Sequence, residues 1–449
     1  MARRLHNLLF AAFVTLAWAA CAFGLIVLSV HVIPSEGQID DFVQEWTSAR
    51  NHLHDRPVYE NLHISVGRDF GPDFASVLPN QYNGHPPVGV LLALPLGSLN
   101  YQTAHVVWNL TSLAALLAAL WIILGRAGLN LPTSAWAFVG ALLLWSTPLA
   151  RQFIAGQPNL ILLLLITGGW AAMRHQRDTV AGMLLGAAAA LKLFPAFLFL
   201  YPLVLRRWRT IAIGGGMFLA LNAITAAVLG VEAFHDFITL VLPDLRKSQD
   251  WWLNFSVTGY FRKLFYVTSG HSLPLWQNPM LCYLLIGSTT LGVTIAAGWK
   301  VRSAAAQAGK EPLKAEQLPN QDDRQAPHLI LDVAFAVCLI ANLLVSPITW
   351  DHYFILLLLP ILIFWRAAAT VGQRAFLLVC VLLLSINVLW IWDPLIAGDH
   401  ELAYLSGGEP SIATPLQAIT LLSYPFYTLS VLFLFGLTLS TRPVDTTSS

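Results

Sequence analysis

The chain has 449 residues, 56% of them hydrophobic and 11% charged, with a net charge of +1 and a mean hydropathy of +0.64. An ordinary soluble domain carries about 25% charged residues, so this composition excludes a chain solvated over its whole surface. It also offers no basic patch of the kind that holds nucleic acid.

Apolar runs of roughly 17–25 residues, enough to cross a hydrocarbon core, recur from end to end. They predict an all-α polytopic membrane protein with about twelve spans, near 8–33, 86–99, 103–125, 134–150, 159–173, 178–203, 210–231, 277–298, 328–348, 353–366, 375–393 and 416–440. The runs 86–99, 159–173 and 353–366 are short, which leaves tilted pairs or re-entrant pieces open there. The first run is too long for the core of a signal peptide and lacks a small-residue cleavage site, so it is expected to remain as a span. Cys21, Cys282, Cys338 and Cys380 all fall inside apolar runs, which predicts small buried residues and no disulfide.

Basic residues set the orientation. The clusters "RRWR" (206–209) and "KVRSAAAQAGKEPLKAEQLPNQDDR" (300–324) favour a cytoplasmic N-terminus, whereas "RHQRD" (174–178) argues the other way. This topology has outer segments at 34–85, 232–276 and 394–415, a flexible inner loop at 299–327, and a cytoplasmic tail at 441–449 after a single membrane domain of residues 1–440. No internal repeat is visible, which counts against transporter folds built from duplicated halves.

Directly after the first span comes "IDDFVQEWTSAR" (39–50). Ile39, Phe42, Trp46, Ala49 and Leu53 follow 3, 4, 3, 4 spacing and share one helical face. Asp41, Glu45, Ser48 and His52 line a neighbouring polar face, and Pro57 stops the run. An amphipathic helix of this kind is expected flat in the outer interface, apolar side down. Asp41 with Gln44 three residues on resembles a capping box. One cap needs one aspartate, and a second acid beside a low-dielectric boundary is costly unless it is used.

Further along, "GQPNL" (156–160) places Gln157 and Asn159 beside a span. Lys192 in "AAAALKLFP" lies within one, about 14 residues from its outer end, or roughly 21 Å at 1.5 Å per residue. An intramembrane lysine is a functional candidate by default, but that depth separates it from an outer-face phosphate. "WWLNFSVTGYFRK" carries Asn254, Ser256 and Arg262, whose fork of donors suits phosphate; the Trp pair also fits an interfacial belt, and Asn254-Phe255-Ser256 matches a glycosylation sequon. In "SPITWDHYF" (346–354), Pro347 ends one helix and Asp351 can cap the next. His352 is left at the mouth of the bundle, as an interfacial anchor or as a donor to a hydroxyl or phosphate. The sequence has no Walker loop, dinucleotide fingerprint or zinc spacing. A sugar donor consumed on the outer face would have to be lipid-linked.

Taken together, these segments resemble glycosyltransferase family 87, polyprenyl-phosphate-mannose-dependent mannosyltransferases of the GT-C class. The landmarks, in order, are "DFVQEWTSA", "YNGHPPVGVLLALPLGSL", "GQPNLILLLL", "AGMLLGAAAALKLFPAFLFLYPLVLRRWR", "NFSVTGYFR" and "SPITWDHYFILLLLP". The family usually shows an aromatic where Glu45 stands and often a Tyr near His85. The resemblance implies a GT-C type bundle in the plasma membrane whose first outer loop carries the catalytic aspartate, Asp41 by the Asp-Phe pattern, with Asp40 the runner-up. It implies a polyprenyl-phosphate sugar donor, mannose first among hexoses, a glycolipid or glycan acceptor, and inversion at the anomeric carbon. On that reading Asp41 is the general base. His352, Arg262, Asn254, Lys192, Gln157 and Asn159 are the candidates for binding donor phosphate or sugar. No cofactor, nucleotide or obligatory metal is expected, because polyprenyl phosphate is already an adequate leaving group. The competing readings are a transporter or flippase for a lipid-linked sugar and a non-catalytic membrane scaffold.

Overall fold

The structure, a computed structural model, describes residues 2–34, 39–72, 74, 81–127, 132–249, 251–266, 272–309, 326–386 and 413–439, without the side chains of 2–9, 127, 326 and 327. The expected tail at 441–449, most of the expected outer segment 394–415 and much of the inner loop 299–327 lie outside the described residues.

Helices form the bundle because long apolar stretches in lipid must satisfy their backbone groups internally. Among the described residues six helices are long and apolar enough to cross a membrane. The first is α1 (Ala2–Val32). Two short helices follow, α2 (Phe42–Leu53) and α3 (Leu62–Phe70), then α4 (Pro87–Ala93) and the long α5 (Tyr101–Ala127). Helices α6 (Thr133–Leu144) and α7 (Thr147–Ile154) make a pair bent by 50°, a possible seventh span. Next come α8 (Asn159–Arg174), α9 (Asp178–Leu191) and α10 (Trp208–Leu229). The later helices of nine or more residues are α11 (Val257–Phe265), α12 (Pro279–Ala308), α13 (Ala326–Val345), α14 (Leu358–Ala367), α15 (Val371–Ser385) and α16 (Tyr424–Thr438). Helix α12 runs on to Ala308, so the first part of the expected 299–327 loop is helical.

Helix α13 is the axis of the core: Val333 to Ala341 are almost wholly buried. Peripheral helices instead expose apolar side chains, such as Leu219 on α10 and Met280 on α12, the pattern of a lipid-facing surface. All four cysteines are free and buried.

Two expected spans have a different shape. Residues 86–99 do not cross. Helix α4 leads into a 3-10 turn at Leu94–Ser98, and both ends of the segment are tied to the same region. At the far end Trp46 Nε1 donates to Leu99 O (3.2 Å), and at the near end Tyr59 Oη donates to His85 O (2.7 Å). The 178–203 run is also not one helix. Helix α9 ends at Leu191, Lys192 is extended (φ −140°, ψ 138°), and a 3-10 turn begins at Phe194. Pro195 accounts for the break, since it has no N–H to give the Leu191 carbonyl four residues back and its ring clashes with that carbonyl.

These two departures decide which residues share an end of the bundle. Arg174 donates to Arg126 O (2.6 Å), Arg366 reaches the same carbonyl (3.5 Å), and Arg207 pairs with Asp178 (2.5 Å). Asp40, Asp41, Tyr101, Arg151 and Asp351 gather at the other end, where Arg151 lies 3.8 Å from Asp351. The "RHQRD" segment, expected outside, thus lies with the "RRWR" cluster, and Arg151, which follows the fourth expected span (134–150) and so belongs inside on that count, lies with Asp41.

Candidate active site

The site is built where α2 meets the turn after α7. Gly156 adopts φ +62°, which favours glycine. A Cβ there would lie 2.5 Å from Phe42 Cβ and 2.8 Å from His105 Nε2, so glycine is also what lets α2 approach. Phe42 N–H donates to Ala155 O (2.9 Å), and Trp108 Nε1 donates to Gly156 O (2.6 Å). Phe42 stacks on His105 and Trp108, and Trp46 sits edge-on to Tyr101. Fully burying a Phe side chain contributes about 1.5–3 kcal/mol, so these rings anchor the helix that carries Asp41.

This corrects the expected placement of α2. Most of its apolar face is covered by protein: Phe42 and Ala49 are fully buried and Trp46 nearly so, whereas Leu53 at its end is exposed. Glu45 and Ser48 on the polar face are buried as well.

The two aspartates have different partners. Asp41 has helical backbone angles (φ −49°, ψ −32°) and makes no side-chain cap, so the capping-box expectation fails. Its Oδ2 accepts from Gln157 Nε2 (2.8 Å) and its Oδ1 from Gln44 Nε2 (3.4 Å). Asp40 Oδ1 accepts the backbone N–H of Asp41 (2.9 Å), and Asp40 N–H donates to Tyr101 Oη (3.3 Å). Burial, with the Asp41 charge adding to it, pushes the Asp40 pKa up to about 7.

Lys192 lies beside this acid, not remote from it. The break after Leu191 brings its side chain to the Asp41 end, where it is buried. Its ammonium donates to Gln157 Oε1 (3.1 Å), Asn159 Oδ1 (3.0 Å) and Tyr353 Oη (3.4 Å), and sits 4.5 Å from the Tyr353 ring centroid. Tyr353 in turn stacks on Phe194. Gln157 therefore bridges the carboxylate and the ammonium, donating to one and accepting from the other.

His352 is buried in the adjoining segment. Its Nδ1 lies 3.4 Å from Asp351 Oδ1 without hydrogen-bonding geometry, and among the described residues its Nε2 has no partner. Burial pushes its pKa below the ordinary histidine value, with the charge of Lys192 acting in the same direction and Asp351 opposing. Gln152 Nε2 donates to His352 O (2.5 Å), tying this segment to α7.

Asn254 and Arg262 belong to a neighbouring network. Asn254 donates to Gln249 O and Pro347 O and accepts from Ser256 N and Thr349 N, so its buried amide clamps the 346–349 segment. That burial leaves the sequon no exit for a glycan. Arg262 lies over the Tyr266 ring, 4.2 Å from its centroid, and donates to Gln249 Oε1 (3.4 Å).

Several functional-looking contacts are not legible in the sequence. Tyr353, the residue after His352, completes the Lys192 cage. Glu45 pairs with His85 (2.5 Å) one helical turn from Asp41. Its other oxygen has no partner among the described residues. Gln44 Oε1 accepts from Gly84 N (3.0 Å), holding the 82–85 turn to α2. Sequence spacing carries no signal for such long-range pairs. Among the described residues no three His, Cys, Asp or Glu side chains converge as a metal site would need.

The arrangement provides an acid, a buried cation and an unpartnered imidazole, all drawn from segments distant in sequence. The chain is 31% identical over 180 residues to the polyprenol-phosphate-mannose-dependent alpha-(1-2)-phosphatidylinositol pentamannoside mannosyltransferase of Mycolicibacterium smegmatis (40% of this chain, 42% of the relative). It is 26% identical over 315 residues to the protein of that name from Mycobacterium tuberculosis (70% and 63%). An alpha-(1->3)-arabinofuranosyltransferase of Corynebacterium glutamicum is 24% identical over 269 residues (59% and 57%). The chain thus spans between two fifths and two thirds of the length of these relatives. The profile of glycosyltransferase family 87 matches residues 84–313, more than half of the chain, and includes Gln157, Asn159, Lys192, Asn254 and Arg262. On that match, the chain belongs to glycosyltransferase family 87.

Proposed function

We propose that this protein is an inverting glycosyltransferase that moves a hexose, mannose first, from polyprenyl phosphate to a glycolipid or glycan acceptor. The observation that carries the reading is the chain Asp41–Gln157–Lys192–Tyr353, which joins four separate sequence segments at one end of the bundle. The relatives' names support the donor and a glycolipid acceptor. The arabinofuranosyltransferase among them keeps a pentose in view.

In this scheme Asp41 takes the proton from the acceptor hydroxyl while that oxygen attacks the anomeric carbon. The bond to the phosphate oxygen breaks on the opposite side, and polyprenyl phosphate leaves with the electron pair. Lys192 stabilises the developing phosphate charge by exchanging one of its amide or phenol acceptors for a phosphate oxygen. His352 Nε2 serves a sugar hydroxyl or phosphate oxygen. Gln157 and Asn159 hold Lys192 and Asp41 at working distance. Asn254 acts by positioning the 346–354 segment, and Arg262 supplies further positive charge to the donor. Neither nucleotide nor metal enters the scheme. The bundle is read as GT-C type with the Asp41 end on the outer face of the plasma membrane, since the opposite end holds the basic clusters.

The test is transfer by purified protein from polyprenyl-phosphate-mannose to a membrane-extracted acceptor pool. Asp41→Asn should lose transfer by orders of magnitude with its thermal transition intact. Unchanged turnover in that variant would exclude Asp41 as base and redirect the assignment to Asp40.

A further inference from the structure

At the end opposite Asp41, a groove of about 420 Å³ opens between α5, α8 and α9. Its walls are apolar and its floor is made of small residues. Trp121 is 78% exposed beside it, and a Cβ on Gly125 would meet nothing within 4 Å. Gly168, on α8, also lines it. Arg126, His175 and Arg177 line its mouth.

The charge at that mouth is uncompensated. Arg126 Nη1 donates to His175 Nε2, a neutral ring nitrogen that brings no negative charge to the mouth. The nearby carboxylates are committed elsewhere: Asp332 takes Arg174 (3.2 Å) and Trp170 Nε1 (2.9 Å), and Asp178 takes Arg207 and Thr210. Among the described residues neither Arg126 nor Arg177 has a carboxylate within ion-pair distance. His175 reports the same excess, since burial and then the charges of Arg126, Arg174 and Arg177 all lower its pKa. Two guanidinium groups facing one opening match the oxygens of a phosphate diester. An apolar slot running from that opening along the helices matches an acyl chain, and basic pockets between spans at this end of a bundle recognise anionic headgroups.

We infer that this groove is a binding site for one anionic glycerophospholipid, its phosphate held by Arg126 and Arg177 and an acyl chain lying along Trp121, Gly125 and Gly168. The lipid is structural in kind and separate from the sugar donor, because the site lies at the end of the bundle away from Asp41 and Lys192.

Native mass spectrometry of the full-length protein tests this, with dioleoylphosphatidylglycerol, dioleoylphosphatidylcholine and sn-glycerol 3-phosphate as probes. The wild type should retain phosphatidylglycerol over phosphatidylcholine by about thirtyfold, since each of the two basic residues contributes roughly 1 kcal/mol near an anionic headgroup. Arg126→Gln/Arg177→Gln should lose that preference. Gly125→Phe, which keeps both charges and fills the slot, should lose retained lipid of either kind, and it decides the matter if the charge variant fails to fold. Equal retention of the two lipids by the wild type would overturn the inference, as would a preference that survives in both variants. Displacement of the lipid by glycerol 3-phosphate would also overturn it, by showing a soluble-anion site.

Discussion

Asp40 and Asp41 are neighbours with opposite environments. Asp41 faces two side-chain amides, one of them shared with Lys192, whereas Asp40 is turned onto the backbone N–H that starts α2. The near-neutral pKa of Asp40 makes it the tempting base, but its geometry is that of a support. Its titration instead sets a stability dependence. In the folded protein the group holds its proton up to about pH 7, whereas the unfolded chain releases it near the ordinary aspartate value of 3.8. The folded state therefore binds more protons across that window, and its stability falls as pH rises from about 4 to about 7. Asp40→Asn keeps an oxygen for the Asp41 N–H and removes the titration. Its melting temperature should match wild type near pH 4 and exceed it at pH 8. An equal gap at both values would show that Asp40 is not held protonated. Transfer activity should persist in this variant, and its loss would move the base from Asp41 to Asp40.

The helix α2 and the 155–157 turn form one seat, and the seat depends on Gly156. Alanine there must accept φ +62° and a Cβ 2.5 Å from Phe42 Cβ. Strained backbone of this kind costs on the order of 1–3 kcal/mol before any steric term. Gly156→Ala should lower the melting temperature by several degrees and depress transfer further than stability alone predicts, because Gln157 moves with the turn. Wild-type melting and turnover together would remove the seat from the account. The ordered motifs identified this neighbourhood in the sequence: "DFVQEWTSA", "GQPNL", Lys192 and "WDHYF" all reach it. What they could not supply was the geometry of Lys192. Leu193 to Phe199 are as apolar as the helix before them, so hydropathy ran straight through and left Pro195 as the sole sign of a break. The apolar stripe of α2 was equally legible, but a stripe reads alike whether lipid or Tyr101 and Trp108 cover it.

The direction of the chain through the membrane shows how two such misreadings combine. Counting 86–99 as a crossing reverses every span from Tyr101 to Arg174, and counting 178–203 as one crossing reverses the count back. From Trp208 onward the expected and observed directions coincide, which is why the basic clusters favoured the same overall orientation. Only the intervening segments were displaced: Arg126, Arg174 and Arg177 belong with Arg207 and Arg366, and Arg151 belongs with Asp351. Moving these arginines strengthens the charge asymmetry between the two ends, the quantity that fixes insertion. Single cysteines report it directly against a low background, since the four native thiols are buried. In intact cells a membrane-impermeant maleimide should label His54→Cys. It should label Arg177→Cys and Arg209→Cys only after permeabilisation. With the orientation proposed from the basic clusters, Arg209 is inside in both arrangements, so Arg177 is the discriminating position. Its labelling from outside would restore a crossing at 86–99, part the "RHQRD" segment from the "RRWR" cluster, and carry the lipid groove to the same face as Asp41.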